Sequence, residues 1–273
     1  MMYGTSTWPS NRRTFVGPLP GFEFSRKTRI DSNVSAKLVY LRAMHPLDNP
    51  IWQALITTHA GFAESSNAAR KFPREVSVLA GFPEPTPENY AALATLLRPD
   101  ESVGLFLQQP PSPPAPWIIV SSGPLLQMLC ESFSAPFPVP HSNPEFIPLT
   151  QSDVPEMLAL TKFTKPGPFG SRTHEMGDYF GIRNAGALAA MAGERLRLPG
   201  YTEISAVCTH PDHVSQGYAS ALMGMLMARI CRRGDLPFLH VRPENLRAVQ
   251  VYERLGFTKR ASLHYAVLRV SQE

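Results

Sequence analysis

Apolar and polar positions alternate between two periods along this chain, and the switch from one to the other marks out its elements. In "GYASALMGMLMARI", Leu222, Met223, Leu226, Met227 and Ile230 recur at helical spacing and form one stripe. The pattern predicts a helix over 219–232 lying on a sheet, with Met223, Met225 and Met227 as core residues and their neighbours. Helical spacing or helix-bounding prolines also predict helices within "NPIWQALITTHAGFA", within "PENYAALATLLRP", over 152–162 and over 246–255. Short β-rich runs predict strands at "SVGLFLQ", "PWIIVSSG", 179–183, 187–195, 203–209, 238–241 and 264–270. "RNAG" reads as the hairpin turn between the strands at 179–183 and 187–195.

Proline divides these elements. The stretch "SAPFPVPHSNPEFIP" has prolines at 136, 138, 140, 144 and 148, each pushing its predecessor out of the helical region, so it reads as an extended linker. The expected organisation is a flexible leader over 1–36, a smaller mixed α/β region with its own core over 37–131, a Pro-rich linker over 132–145 and a second domain over 146–273. In that second domain helices alternate with strands, which gives an α/β (α+β) class built on a mixed central sheet flanked by helices.

Composition narrows the partners. A net charge of +4 with scattered basic residues lacks the concentrated stripe of a nucleic-acid surface. No apolar run approaches the roughly 20 residues that span a bilayer, and the amino terminus has no continuous apolar signal segment. Three cysteines, Cys130, Cys208 and Cys231, lack metal-ligand spacing and suit reduced thiols, so a cytoplasmic location is expected.

The chemistry starts at "HPDHVSQGYAS". The first amides of a helix have no intrahelical acceptor and carry the positive end of its dipole, so a glycine turn before them lets a phosphate approach. Many strand–turn–helix units hold a glycine for steric reasons only, and the turn alone does not decide. "TEISAVCTHPDHVSQGYAS" resembles the central motif of the GNAT superfamily of N-acetyltransferases, whose turn has the form Arg/Gln-x-x-Gly-x-Gly/Ala. Here that form falls on Val214 to Ala219, with Val214 where Arg or Gln is usual. Downstream, "FLHVRPENLRAVQVYERLGF" is similar to the superfamily's next strand and helix, with Asn245, Ala248, Tyr252, Gly256 and Phe257 at the expected places. The resemblance runs from about Phe146 to Val270, and is to a branch with "EISAVCTHP" and "AMAGE" strings, some of it related to glycine N-acyltransferases. Residues 37–131 would then be a diverged second half of similar ancestry.

The resemblance implies an acetyl-CoA dependent N-acetyltransferase acting on a primary amine in a ternary complex, with no metal. A coenzyme-binding module without turnover is the alternative, and Val214 speaks for it. The implied coenzyme contacts are Gln216, Gly217, Tyr218, Ala219 and Ser220 at the pyrophosphate, Val207, Cys208 and Thr209 along the pantetheine arm, and Asn245. Tyr252 is the implied acid for the departing thiolate, against a tyrosine that merely packs in the core. Glu203 is the candidate base, against a carboxylate held by an arginine or by water. Strand alternation would place Glu203, Ser205, Val207 and Thr209 on one face and Ile204, Ala206 and Cys208 on the other. For the acceptor, Phe169, Arg172, Thr173 and Tyr179 are candidates, Arg172 as a partner for a carboxylate. A small molecule is the expected acceptor rather than a protein. "HPDH" reads as a polar loop rather than a metal site.

Overall fold

The helical stripe and the β runs assemble around one sheet. A computed structural model describes residues 45–132 and 144–271, which fall in one unit, His45–Glu273. The expected leader, and 133–143 of the expected linker, lie outside the described residues.

The described chain opens with helix α1 (Pro50–Ile56), then a small sheet in the order β1 (Glu64–Ser66), β2 (Ala69–Lys71), β3 (Ala80–Gly81), and helix α2 (Pro87–Ala94). Strands β4 (Ser102–Leu107) and β5 (Trp117–Leu129) follow, then β6 (Ile147–Pro148), helix α3 (Val154–Thr164), β7 (Tyr179–Asn184), β8 (Ala187–Leu198) and β9 (Tyr201–Thr209). Helix α4 (Tyr218–Arg232), β10 (Leu236–Val241), α5 (Leu246–Arg254) and β11 (Thr258–Val270) complete it. The eight-stranded sheet runs β4-β11-β5-β10-β9-β8-β7-β6, and only β9 and β10 are parallel neighbours. This is the expected mixed sheet flanked by helices.

The local signals explain the elements. Thr86 caps α2 by accepting from the Asn89 N–H, and Pro87 stands in the first turn where no N–H is needed. Ala185 and Gly186 take positive φ of 48° and 86° in the β7–β8 hairpin turn. On α4, the stripe Leu222, Met223, Leu226, Met227 and Ile230 is completely buried against Ile182, Ala190, Ile204 and Leu239 of the sheet. Helix α3 covers the opposite face through Val154, Met157 and Leu160, which pack with Met191, Ala206 and Cys208.

The expected boundary between two separate cores is not what the chain forms. Strand β5 lies between β10 and β11, paired to both, so residues before the proline-rich stretch contribute the middle of the same sheet. Helix α1 packs Ile51, Ala54 and Leu55 against Leu129, Leu196 and Phe238 of that sheet. A pairing between segments more than a hundred residues apart is set by the sheet's unmet edges, which local periodicity does not encode. No helix among the described residues is long and apolar enough to cross a membrane.

Candidate active site

The site is built where β9 leaves β10. The two strands pair only from Tyr201 to Glu203 against Leu236 to Phe238. Beyond that, β9 continues along β8 while β10 turns to β5. From Ser205 to Thr209, one edge of β9 therefore has no strand beside it among the described residues, which leaves a gap in the pairing between β9 and β10.

A bulge sits at the start of that gap. The β8–β9 register passes from Gly193↔Ser205 to Met191↔Cys208, one extra residue on β9, and Ala206 takes φ of +52°. The side-chain alternation is broken there. Ile204 and Val207 both face α4, whereas Ala206 and Cys208 both face α3. The strict alternation expected from the sequence, with Ile204 on the side of Ala206 and Cys208, is thus corrected. An alanine in the left-handed region is uncommon, and no side-chain pattern announces it.

At the far end of the gap stands the N-terminus of α4. Ser215 and Gly217 have positive φ of 65° and 80°, and Gly217 occupies the cap position without a side-chain cap. The amides from Gln216 to Ser220 have no acceptor among the described residues. Gln216 and Gly217 are exposed, while the Tyr218 side chain is buried in the core and offers only its backbone. Val214 stands exposed ahead of this turn.

Helix α5 follows β10 and packs on the same core cluster as Val207. Asn245 caps it, its Oδ1 accepting from the Ala248 N–H at 3.2 Å. Ala248 and Tyr252 lie against the core, the Tyr252 ring meeting Phe257 edge-on at 6.2 Å between centroids. Burial pushes the Tyr252 phenol up to about 12, so it is protonated at neutral pH. Cys208 is likewise kept a thiol, pushed up to about 11 by burial. In "HPDH", His210 accepts from the Asp212 N–H and closes the loop locally.

Glu203 is not placed as a base. It is fully buried, and its two oxygens accept from Arg195 Nε and Nη2 at 2.8 and 2.7 Å. Its Oε1 also meets His240 Nδ1 at 2.7 Å. Desolvation opposes the charge, but Arg195 and His240 overcome it and hold the carboxyl at about 2. A carboxylate so weakly basic and so fully engaged is a poor acceptor for an amine proton, which corrects the expected role.

That ion pair is one end of a buried polar chain across the sheet. Arg260 Nη1 donates to Gln127 Oε1 at 2.8 Å, which makes Gln127 Nε2 the donor to the Leu47 carbonyl and to His240 Nε2. His240 Nε2 is then an acceptor, so its proton is on Nδ1 and points at Glu203. Burial also lowers the histidine's affinity for a second proton. Arg260 ends the chain on Asp48 at 2.6 Å. The charges along it, two arginines and two carboxylates, cancel.

On the α3 side of the bulge lies a narrow cleft lined by Pro166, Phe169, Thr173, Tyr179, Arg195, Ser205 and Ala206. Three of the four expected acceptor residues are brought together here. Arg172 is not: its guanidinium makes a two-pronged pair with Glu175 at the surface, at 2.8 and 2.7 Å. Thr173 braces the loop, its Oγ1 accepting from Gly170 N and donating to the Val76 carbonyl. Arg195, Ser205 and Ala206 were not among the sequence candidates. The one signal for Arg195 was a Glu-Arg pair inside the otherwise apolar "AMAGERL", where a buried charge requires a partner.

Comparison with known proteins gives this geometry its context. The family model of FR47-like proteins matches residues 179–266, the stretch that carries the gap, the turn and α5. A structure from Novosphingobium aromaticivorans DSM 12444, described as an acetyltransferase from the GNAT family, is 35% identical, with a TM-score of 0.77. That match covers 84% of this chain and 100% of the other. A GCN5-related N-acetyltransferase from Kribbella flavida shares the fold at 19% identity and a TM-score of 0.56, over 82% of this chain and 96% of the other. No curated protein matches. The identity and coverage of the first of these structures establish that the chain belongs to the GNAT superfamily of N-acetyltransferases, whose fold is that of acyl-CoA-dependent acyltransferases.

Proposed function

We propose that this protein transfers an acetyl group from acetyl-CoA to the primary amine of a small acceptor, by direct attack in a ternary complex. The observation that carries the reading is the alignment of three features along β9: the bulge at Ala206, the unpaired edge from Ser205 to Thr209, and the bare amides of α4.

Each feature fits one part of the coenzyme. The amides of Gln216, Gly217, Tyr218, Ala219 and Ser220 would hold the pyrophosphate, where the helix dipole adds to their hydrogen bonds. The edge at Val207, Cys208 and Thr209 would pair with the pantetheine amides as a neighbouring strand does. The Val207 N–H would polarise the thioester carbonyl and stabilise the oxyanion that forms there. Asn245, already engaged as a cap through Oδ1, keeps its amide nitrogen for a further coenzyme contact.

The chemistry then needs two proton movements. Tyr252, protonated through neutral pH, would donate to the departing thiolate. With Glu203 neutralised by Arg195, the amine enters as its free base and its proton leaves to water. A small acceptor is favoured because the segment before β3 covers the acceptor loop: Glu75 accepts from the Arg172 N–H at 2.9 Å, and Thr173 bonds to Val76.

The test is thiol release from acetyl-CoA with a pool of primary amines, on wild type and Tyr252→Phe, together with calorimetric binding of desulfo-CoA. Amine-dependent release that falls in the variant supports the reading. Binding without release across the pool favours a coenzyme-binding module, and absent binding overturns the coenzyme assignment.

A further inference from the structure

Five neighbouring strands each give one polar side chain to a single row: Arg195 on β8, Glu203 on β9, His240 on β10, Gln127 on β5 and Arg260 on β11. The three in the middle, Glu203, His240 and Gln127, are almost completely enclosed. Replacing a buried polar set by apolar side chains of similar volume is often neutral or stabilising. The contribution of the row is then geometric, because a hydrogen bond fixes a distance and a direction where apolar contacts allow sliding.

The central member of the row stands where the two strands part. Backbone pairing between β9 and β10 ends at Glu203↔Phe238, and His240 is two residues further along β10. Its Nδ1–H donates back to Glu203 Oε1 at 2.7 Å, the last polar link between these strands among the described residues. On its other side His240 stands opposite Gln127 in the β10–β5 register, and Nε2 accepts from the Gln127 amide at 3.1 Å. Phe106 and Phe238 pack on the ring, at 4.5 and 5.7 Å between centroids. The imidazole is pinned from both sides, and it pins β9 to β10 at the point where the gap begins. Each strand then leads to one of the two groups the proposed reaction needs: β9 runs through the bulge to the Val207 N–H, and β10 runs into α5 and Tyr252.

We propose that His240 is a positioning residue: through its bond to Glu203 it fixes the separation of β9 and β10 at the fork, and with it the placement of the Val207 N–H relative to the Tyr252 hydroxyl. In this role it acts through Glu203 rather than on the reacting atoms. This rests on the acyltransferase reading above. A small displacement of an oxyanion donor relative to an acid costs rate, while the pyrophosphate amides of α4 keep their hold, so kcat and coenzyme affinity separate.

The variants are His240→Leu, which removes both bonds at similar volume, and His240→Asn, whose amide nitrogen takes the place of Nδ1 and keeps the link to Glu203. Acetyl transfer and calorimetric binding of acetyl-CoA are measured on each. His240→Leu is expected to lower kcat by about tenfold or more, with acetyl-CoA affinity within about twofold of wild type. His240→Asn should bring kcat back to within about threefold of wild type, whatever the order of the two Tm values. A merely structural histidine would make kcat follow Tm, with no rescue by asparagine. Amide hydrogen exchange over 201–205 and 236–241 reads the fork without turnover: it should quicken by about tenfold or more in His240→Leu and stay near wild type in His240→Asn. Equal kcat in wild type and His240→Leu, equal losses in the two variants, or equal exchange in them, overturns the proposal. Exchange that separates the variants in a protein without acetyl transfer supports the fork assignment and counts against the acyltransferase reading alone. Should His240→Leu not fold, His240→Asn decides: kcat and exchange near wild type support the proposal, and a loss of about tenfold at unchanged Tm overturns it.

Discussion

Arg195 on β8 and Glu203 on β9 face each other as a two-pronged buried pair, at 2.8 and 2.7 Å. A second bulge makes this possible, because the register moves from Glu194↔Ile204 to Arg197↔Thr202 and inserts one residue on β8 beside Arg195. Glu203→Ala leaves the guanidinium buried without its counter-charge, and a loss of about 3–5 kcal/mol in unfolding free energy is expected by urea denaturation. The pair also has a pH signature. The folded carboxyl sits at about 2, below its unfolded value near 4.5, so its stabilisation is complete above the unfolded value and is lost as pH falls toward 2. Wild type should lose stability over that window more steeply than Glu203→Gln.

Buried His59 gives a second acid-sensitive element. It stands between Phe62 and Phe72, donates to the Met176 carbonyl through Nε2, and leaves Nδ1 unpaired. Burial lowers it from 6.5 to about 4, so the unfolded chain binds the proton more readily. Stability should therefore fall as pH drops from above 6.5 toward 4, by at most about 3 kcal/mol. A Tm profile against pH in wild type and His59→Phe checks this, the variant showing a flatter profile in that window.

Gly193→Ala is expected to cost about 1–3 kcal/mol, because its Cβ meets the Tyr179 ring and the cleft has no room to yield. Thermal denaturation reads it. Combined with Tyr179→Ala, which leaves a cavity of its own, the two losses should be less than additive, since the clash then disappears.

Tyr252→Phe should lower kcat for acetyl transfer by about a hundredfold, the ordinary scale of a lost general acid, with acetyl-CoA affinity nearly unchanged. Because the phenol is held at about 12, the wild-type rate should keep rising through pH 9 with the free-base fraction of the amine. An alkaline fall centred below pH 9 contradicts this assignment.

The sequence revealed what is local. The α4 stripe, the cap at Asn245 and the hairpin at Ala185 and Gly186 all follow from neighbours a few residues apart, and all stand where their patterns place them. The glycine turn was legible for the same reason. What escaped is non-local or silent. Trp117–Leu129 gives no sign that it will lie between β10 and β11, since its partners come over a hundred residues later. The bulge at Ala206 carries no residue that favours positive φ, so alternation misplaced Ile204 relative to Ala206, and the second bulge, which sets which arginine meets Glu203, was equally silent. Arg172 looked available because Glu175, three residues on, could not be seen to hold it.

The account depends most on the bare amides at the start of α4. Gln216→Glu is nearly isosteric, exposed and just ahead of the helix, where a carboxylate suits the dipole but repels a pyrophosphate. Calorimetric titration with acetyl-CoA should show saturable one-to-one binding in wild type, and binding at least fivefold weaker in Gln216→Glu with Tm unchanged or raised. Equal affinity in the two proteins, or no saturable binding to wild type, would contradict the placement of the coenzyme on which the rest is built.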